Sequence, residues 1–140
     1  MPYVAVSPDD DIGRIVGDGN CVAYVKKAAN CPVTSLWRSG TKAGGSKLSR
    51  GTAVATFQNG VYGNHTDGRS HAAIYISQDS TGLRVLDQWV GQAVHERVIR
   101  FKGGQGEARN DGDAFTTIEP PSLLIRMWSR LLAVVGRRPD

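Results

Sequence analysis

One helix-forming stretch stands near the start of this chain, and most of the remainder is patterned for strands. Val22, Val25, Ala28 and Ala29 recur at helical spacing, while Lys26, Lys27 and Asn30 fall elsewhere around the turn. The spacing predicts a helix over about Asn20 to Asn30, with Asp18 or Asn20 as N-cap and Cys31-Pro32 as its stop. Downstream, Gly51–Phe57, Ala72–Ser77, Leu83–Val90, Val94–Phe101 and Asp113–Glu119 read as strands between turns rich in Gly, Asn and Asp. One amphipathic helix must then cover a sheet whose strands are joined antiparallel. The fold class is α+β, a helix packed on a small antiparallel sheet of about four to six strands.

The rest of the chain reads as connections. Pro2 to Val6 is a short edge strand, and Pro8 to Gly19 is a loop. Leu36 to Arg50, with Gly40, Gly44 and Gly45, is a flexible connection at the rim of a site. Gln58 to Arg69 is a long hairpin loop, Gln78 to Gly82 a turn, and Lys102 to Gly112 a polar loop. Pro120-Pro121 marks a break, so residues 1–119 form the domain and residues 120–140 a separate segment. In that segment Leu123, Leu124, Met127, Trp128, Leu131, Leu132 and Val135 oppose Arg126 and Arg130, the pattern of an amphipathic helix. Such a helix covers an open face of the domain or lies against a membrane surface or a partner.

The net charge of +4 and pI of 9.3 favour anionic partners. The basic residues are scattered until the C-terminus, so there is no stripe for nucleic acid and none is expected as a partner. No run of apolar residues is long enough to span a membrane. Met1 to Val16 has no basic segment leading into an apolar run, and Asp9-Asp10-Asp11 interrupts it, so it does not read as a secretory signal.

The chemistry starts at Cys21. A thiol at a helix N-terminus meets unpaired N–H groups and the positive end of the helix dipole, which favour the nucleophilic thiolate. Fifty positions later, Ser70-His71-Ala72-Ala73-Ile74-Tyr75-Ile76 is a histidine leading into a strand. His71 lies on the less apolar side of that strand, as suits a residue facing a cleft. These are the two parts of a thiol hydrolase, in which His71 takes the Cys21 proton and later returns it to the leaving group. His65, in a Gly/Asn loop, and His95, past a Gly-Gln turn, read as surface residues. The other cysteine, Cys31, reads as a buried or helix-end thiol. It lies roughly 15 Å from Cys21 along a helix, too far for a disulfide. No spacing typical of a zinc site appears, and neither metal nor cofactor is expected. Trp37, Trp89, Tyr24 and Tyr62 are candidates to line a groove.

A third residue should hold the imidazole, and two adjacent side chains compete for the place. A four-residue loop, Gln78 to Thr81, sets Gln88 opposite His71. A five-residue loop sets Trp89 there and Asp87 diagonally on the same face. Pattern alone leaves both open.

At these residues the sequence resembles the NlpC-type and CHAP-type branches of the papain-like cysteine amidases and peptidases. Gly19-Asn20-Cys21-Val22-Ala23-Tyr24-Val25 resembles the CHAP nucleophile motif Gly-x-Cys-x-x-Tyr-Val. Ser70 to Ile76 resembles the NlpC-type strand Ser-His-Val-Gly-Ile-Tyr-Ile. Gly51 to Phe57 sits where NlpC-type chains carry Gly-Asp-Leu and an apolar strand, and Val85-Leu86-Asp87-Gln88-Trp89 is similar to the CHAP strand ending in Glu-Gln-Asn. Val22 replaces the serine common after the NlpC-type cysteine. The resemblance implies a papain-like fold and a catalytic set of Cys21, His71 and Asp87, with Gln88 in reserve. It implies a peptidoglycan stem peptide as substrate, cut at a γ-D-glutamyl–diaminopimelate bond or at a cross-link. The chain is also similar to amidase effectors injected through type VI secretion. That implies synthesis in a bacterial cytoplasm, action in a target cell's periplasm, and an immunity protein as partner. The rival expectations are an acyltransferase or deamidase on the same scaffold, and a non-catalytic module that binds cell wall or membrane.

Overall fold

The computed structural model describes residues 1–122. It holds one α-helix, α1 (Cys21–Ala29), and six strands, β1 (Arg38–Lys42), β2 (Ala53–Thr56), β3 (Ala72–Gln78), β4 (Gly82–Trp89), β5 (Gln92–Arg100) and β6 (Phe115–Glu119). The strands form one sheet in the order β1-β6-β2-β3-β4-β5, and every pairing is antiparallel. The α+β expectation holds.

α1 begins where the chain leaves an extended Asn20 and ends where Asn30 adopts a left-handed conformation, φ 55°. Asn20 occupies the N-cap position without capping through its side chain. Asp18 instead accepts hydrogen bonds from the Asn20 backbone N–H and side-chain amide, each at 3.0 Å. α1 lays Tyr24, Val25 and Ala29 on the face of the sheet made by Ala53, Ala55, Ala72, Ile74 and Leu86. The small alanines at the sheet centre let the helix approach closely. Each large side chain sealed there contributes about 1.5–3 kcal/mol. The Tyr24 hydroxyl is carried into this core with a partner, donating to the Pro8 carbonyl at 2.8 Å.

The opposite face has a second core of Ala43, Val54, Ala73, Tyr75, Leu83, Val85, Ile99 and Phe115, with Leu48 and Phe101 packed against it. β3 therefore alternates Ala72 and Ile74 toward the helix with Ala73 and Tyr75 away from it. A sheet covered on both faces explains why β2 is buried at every position.

Two expected connections differ. Leu36 to Arg50 is not wholly a flexible connection, because it carries β1, paired with β6. The strand Arg-Ser-Gly-Thr-Lys has no apolar alternation to announce it. It is held by backbone pairing and by polar contacts, Ser39 with Thr116 at 2.8 Å and the Thr41 N–H on the Thr117 hydroxyl at 2.9 Å. Pro2 to Val6 forms a single bridge, Val4 with Thr52, rather than an edge strand. Val4 and Val6 are exposed while Tyr3 and Ala5 pack into the helix-side core, and the segment is held by backbone hydrogen bonds of Tyr3 and Ala5 to Ile118, Ala53 and Gly51 rather than by a regular ladder. Among the described residues no helix is long and apolar enough to cross a membrane. The amphipathic helix expected beyond Pro121 lies outside the described residues.

Candidate active site

A cleft of about 940 Å³ opens where the start of α1 meets the neighbouring ends of β3 and β4. Cys21, His71, Tyr62, Trp89 and Arg97 line it together with Asp18, Asn20, His65 and Arg109. Asp87 lies directly behind His71 and is fully buried. The structure thus brings together Cys21, His71 and Asp87, the set that the resemblance implies.

The geometry turns on the register of β3 against β4. Gln78 pairs with Leu83 and Ser77 with Arg84, but Tyr75 pairs with Val85, so Ile76 is an extra residue that bulges from β3. Past the bulge Ile74 faces Leu86. Carried on, this register sets Trp89 across from His71 and Asp87 diagonally on its face. It is the outcome expected of a five-residue loop, reached by a bulge instead. His71 Nε2 lies 2.7 Å from Asp87 Oδ2. A carboxylate only accepts, so the proton sits on Nε2 and Nδ1 is left for the thiol.

Charge and burial act on both members of this pair. Burial opposes the charge on His71, but the hydrogen bond to Asp87 and the hydrogen bond and charge of Cys21 outweigh it, and its pKa is pushed up to about 9. Burial likewise raises the Cys21 thiol. Its hydrogen bond to His71, the imidazolium charge, the Ala72 backbone N–H and the Tyr62 hydroxyl outweigh that and hold it below the ordinary thiol value. Both shifts favour the charged forms, thiolate on Cys21 and imidazolium on His71. The Tyr62 oxygen is 3.7 Å from Cys21 Sγ. Burial, then the neighbouring Cys21, drive the phenol far above its ordinary range, so it stays protonated and donates. Tyr62 is fixed by the Trp37 ring at 4.9 Å and the Phe57 ring at 6.1 Å.

Gln88, the alternative to Asp87, is on the other face of β4. It is fully buried and grips the stretch of chain leading into Cys21. The Val16 N–H donates to Oε1 at 2.9 Å, and Nε2 donates to the carbonyls of Val16 and Asn20, each at 2.8 Å. Its neighbourhood is the loop that leads into Cys21, not the imidazole.

Other expectations need correction. Tyr24 and Trp37 are core residues, the latter donating its indole N–H to the Pro32 carbonyl at 2.9 Å, so neither lines the cleft. Trp89 and Tyr62 do. His65 is part of the cleft wall rather than remote surface. His95 is directly across from Asp87 on β5, with Nδ1 3.9 Å from Oδ1, because the β4–β5 register pairs the two residues. Cys31 is a buried thiol whose pKa burial raises to about 12. Arg97 is a site residue that the sequence does not single out. Its Nε donates to Asp87 Oδ2 at 2.8 Å, and its guanidinium lies 5.2 Å over the Trp89 ring. The only sequence signal for it is its place on the alternation of β5.

Residues 3–118 match the family described as domesticated amidase effector 2. A type VI secretion amidase effector 2 protein of Salmonella typhi is 35% identical over 118 residues, covering 80% of this chain and 88% of that protein. A domesticated amidase effector 2 of Ixodes scapularis is 40% identical over 104 residues, covering 71% of this chain and 70% of that one. A solved structure of a type 6 secretion amidase effector 2 has a TM-score of 0.74 and 30% identity, and the match covers 88% of this chain and 98% of that one.

Proposed function

As the chain belongs to the domesticated amidase effector 2 family, we propose that it is a cysteine amidase of papain-like type. Its substrate is a peptidoglycan stem peptide, and Cys21, His71 and Asp87 carry the reaction. The observation behind this reading is a thiol held below its ordinary pKa by a buried imidazole that is itself backed by a buried carboxylate, at the mouth of a cleft. A structural thiol such as Cys31 shows the opposite shift.

In this mechanism the Cys21 thiolate attacks the scissile carbonyl carbon and forms the C–S bond. The carbonyl electrons move to oxygen, where the Cys21 backbone N–H and the Tyr62 hydroxyl stabilise the charge. The C–N bond breaks as His71 passes its Nδ1 proton to the leaving amine. The neutral imidazole then takes a proton from water, hydroxide adds to the thioester, and the thiolate departs with the acid released. Asp87 keeps the ring turned with Nδ1 toward sulfur throughout. The type VI name of the Salmonella relative supports delivery of this chain to the periplasm of a competing cell, with an immunity protein guarding the producer.

The test is digestion of purified Gram-negative peptidoglycan, with released fragments read by mass spectrometry. The wild-type chain is expected to release peptide fragments and Cys21→Ala none. A folded, reduced wild type that releases nothing, or a Cys21→Ala protein that cuts as well as wild type, would overturn the reading.

A further inference from the structure

We propose that Arg97 is the carboxylate-binding residue of this cleft, gripping a free carboxylate of the peptide substrate beside the scissile amide. The inference rests on the amidase reading for the identity of the substrate, and on geometry for the site.

Among the described residues Arg97 uses one corner of its guanidinium. Nε donates to Asp87 Oδ2, the same oxygen that holds His71 Nε2. The two nitrogens therefore stand no further apart than two hydrogen bonds laid end to end. Among the described residues nothing accepts from Nη1 or Nη2, which leaves the outer end of the fork with N–H donors in parallel. That is the arrangement matched by the two oxygens of a carboxylate. Arg97 is also rigid. The Asp87 carboxylate fixes one edge and the Trp89 ring supports its face, and Trp89 in turn packs edge-on against His95 with centroids 5.0 Å apart. A guanidinium so immobilised loses little freedom when it binds.

Arg97 keeps 22% of its side chain exposed and lines the cleft that also contains Cys21 and His71, so its free end is open to a bound molecule. The ionisable side chains facing it are Asp87 and, across that carboxylate, His71 and His95. Asp87 is shared between two cations at a single oxygen, so it does not saturate either one. A peptide bearing a carboxylate next to its scissile bond supplies the missing anion, whereas a neutral peptide leaves the fork unpaired.

The test separates this role from support of Asp87. Stem peptides are prepared with their carboxylates free or amidated. Protection of Cys21 from iodoacetamide is then measured, in which sulfur forms a bond to the CH2 carbon and iodide leaves. This readout needs no turnover, so it stands or falls apart from the amidase reading, which the peptidoglycan digest decides. Wild type is expected to be protected by the free acid at a concentration at least tenfold lower than by the amide. Arg97→Gln should lose that difference and Arg97→Lys keep part of it, since a point charge remains without the fork. Arg84→Gln, on β4 outside the cleft, should match wild type. On cross-linked muropeptides, Arg97→Gln should lower kcat on both substrates through the lost hydrogen bond to Asp87, and should in addition raise KM for the free acid but not for the amide. Equal protection by both peptides, no protection by either, or an equal kcat/KM loss on both substrates would overturn the proposal. The last outcome would make Arg97 a support of Asp87 only.

Discussion

At the scale of the residue, burial and pairing oppose each other on both partners of the proposed catalytic pair. Removing His71 from water disfavours its charge, yet its pKa stands at about 9 because Asp87 and Cys21 flank the ring. Each unit of such a shift corresponds to about 1.4 kcal/mol between the two protonation states. At low pH the Cys21 thiolate is protonated and activity falls. As pH rises through about 9 the imidazolium proton is lost, and with it the acid that serves the leaving amine. The kcat/KM profile is therefore expected to be bell-shaped with its alkaline limb near 9. In Asp87→Asn that limb should move to lower pH, with activity down by about a hundredfold or more. An alkaline limb that stays in place in the variant would remove Asp87 from its role. Cys21 and His71 are legible in the sequence because each opens an element after a turn. Asp87 is not separable there from Gln88, since consecutive strand residues trade faces with any one-residue change of register. Arg97 is invisible, because an arginine on an exposed alternation looks like solvated surface until its neighbours are known.

At the scale of the element, β4 sets the site. The bulge at Ile76 adds one residue to β3 alone, and this puts Asp87 rather than Gln88 on the face of His71. No count from the turn could reveal it, and a regular ladder through the same turn would give His71 a neutral amide as its neighbour. β1 is equally hidden, as its partners are polar and its glycine sits where a side chain at Gly40 would collide with Thr117 and Glu119. α1 and the four central strands are legible because both faces of the sheet are buried, so their apolar patterns are strong. Gln88 gives the element-scale prediction. Gln88→Leu leaves the Val16 N–H and the carbonyls of Val16 and Asn20 without their buried partner. The expected loss is about 2–4 kcal/mol in urea unfolding. A loss under about 0.5 kcal/mol would mean that the loop before Cys21 is held by something else.

At the scale of the molecule, the sheet of the described residues packs a core on each face and opens the candidate cleft at one end. The helix-side core anchors the loop that leads into Cys21, and the far core seats Phe115 with its ring 6.3 Å from that of His71. Asp87 and Gln88 are consecutive on β4, and they face opposite ways. The first reaches the imidazole and the second reaches the chain that presents the thiol. A shift of β4 along its length would release both at once. On warming, the protein therefore has no intermediate stage in which a working site fades while the sheet endures. Inactivation and the loss of sheet signal in circular dichroism should share a single midpoint, and an enzyme that died several degrees earlier would show that the two halves of the site part company independently. Heat should find this amidase either whole or gone.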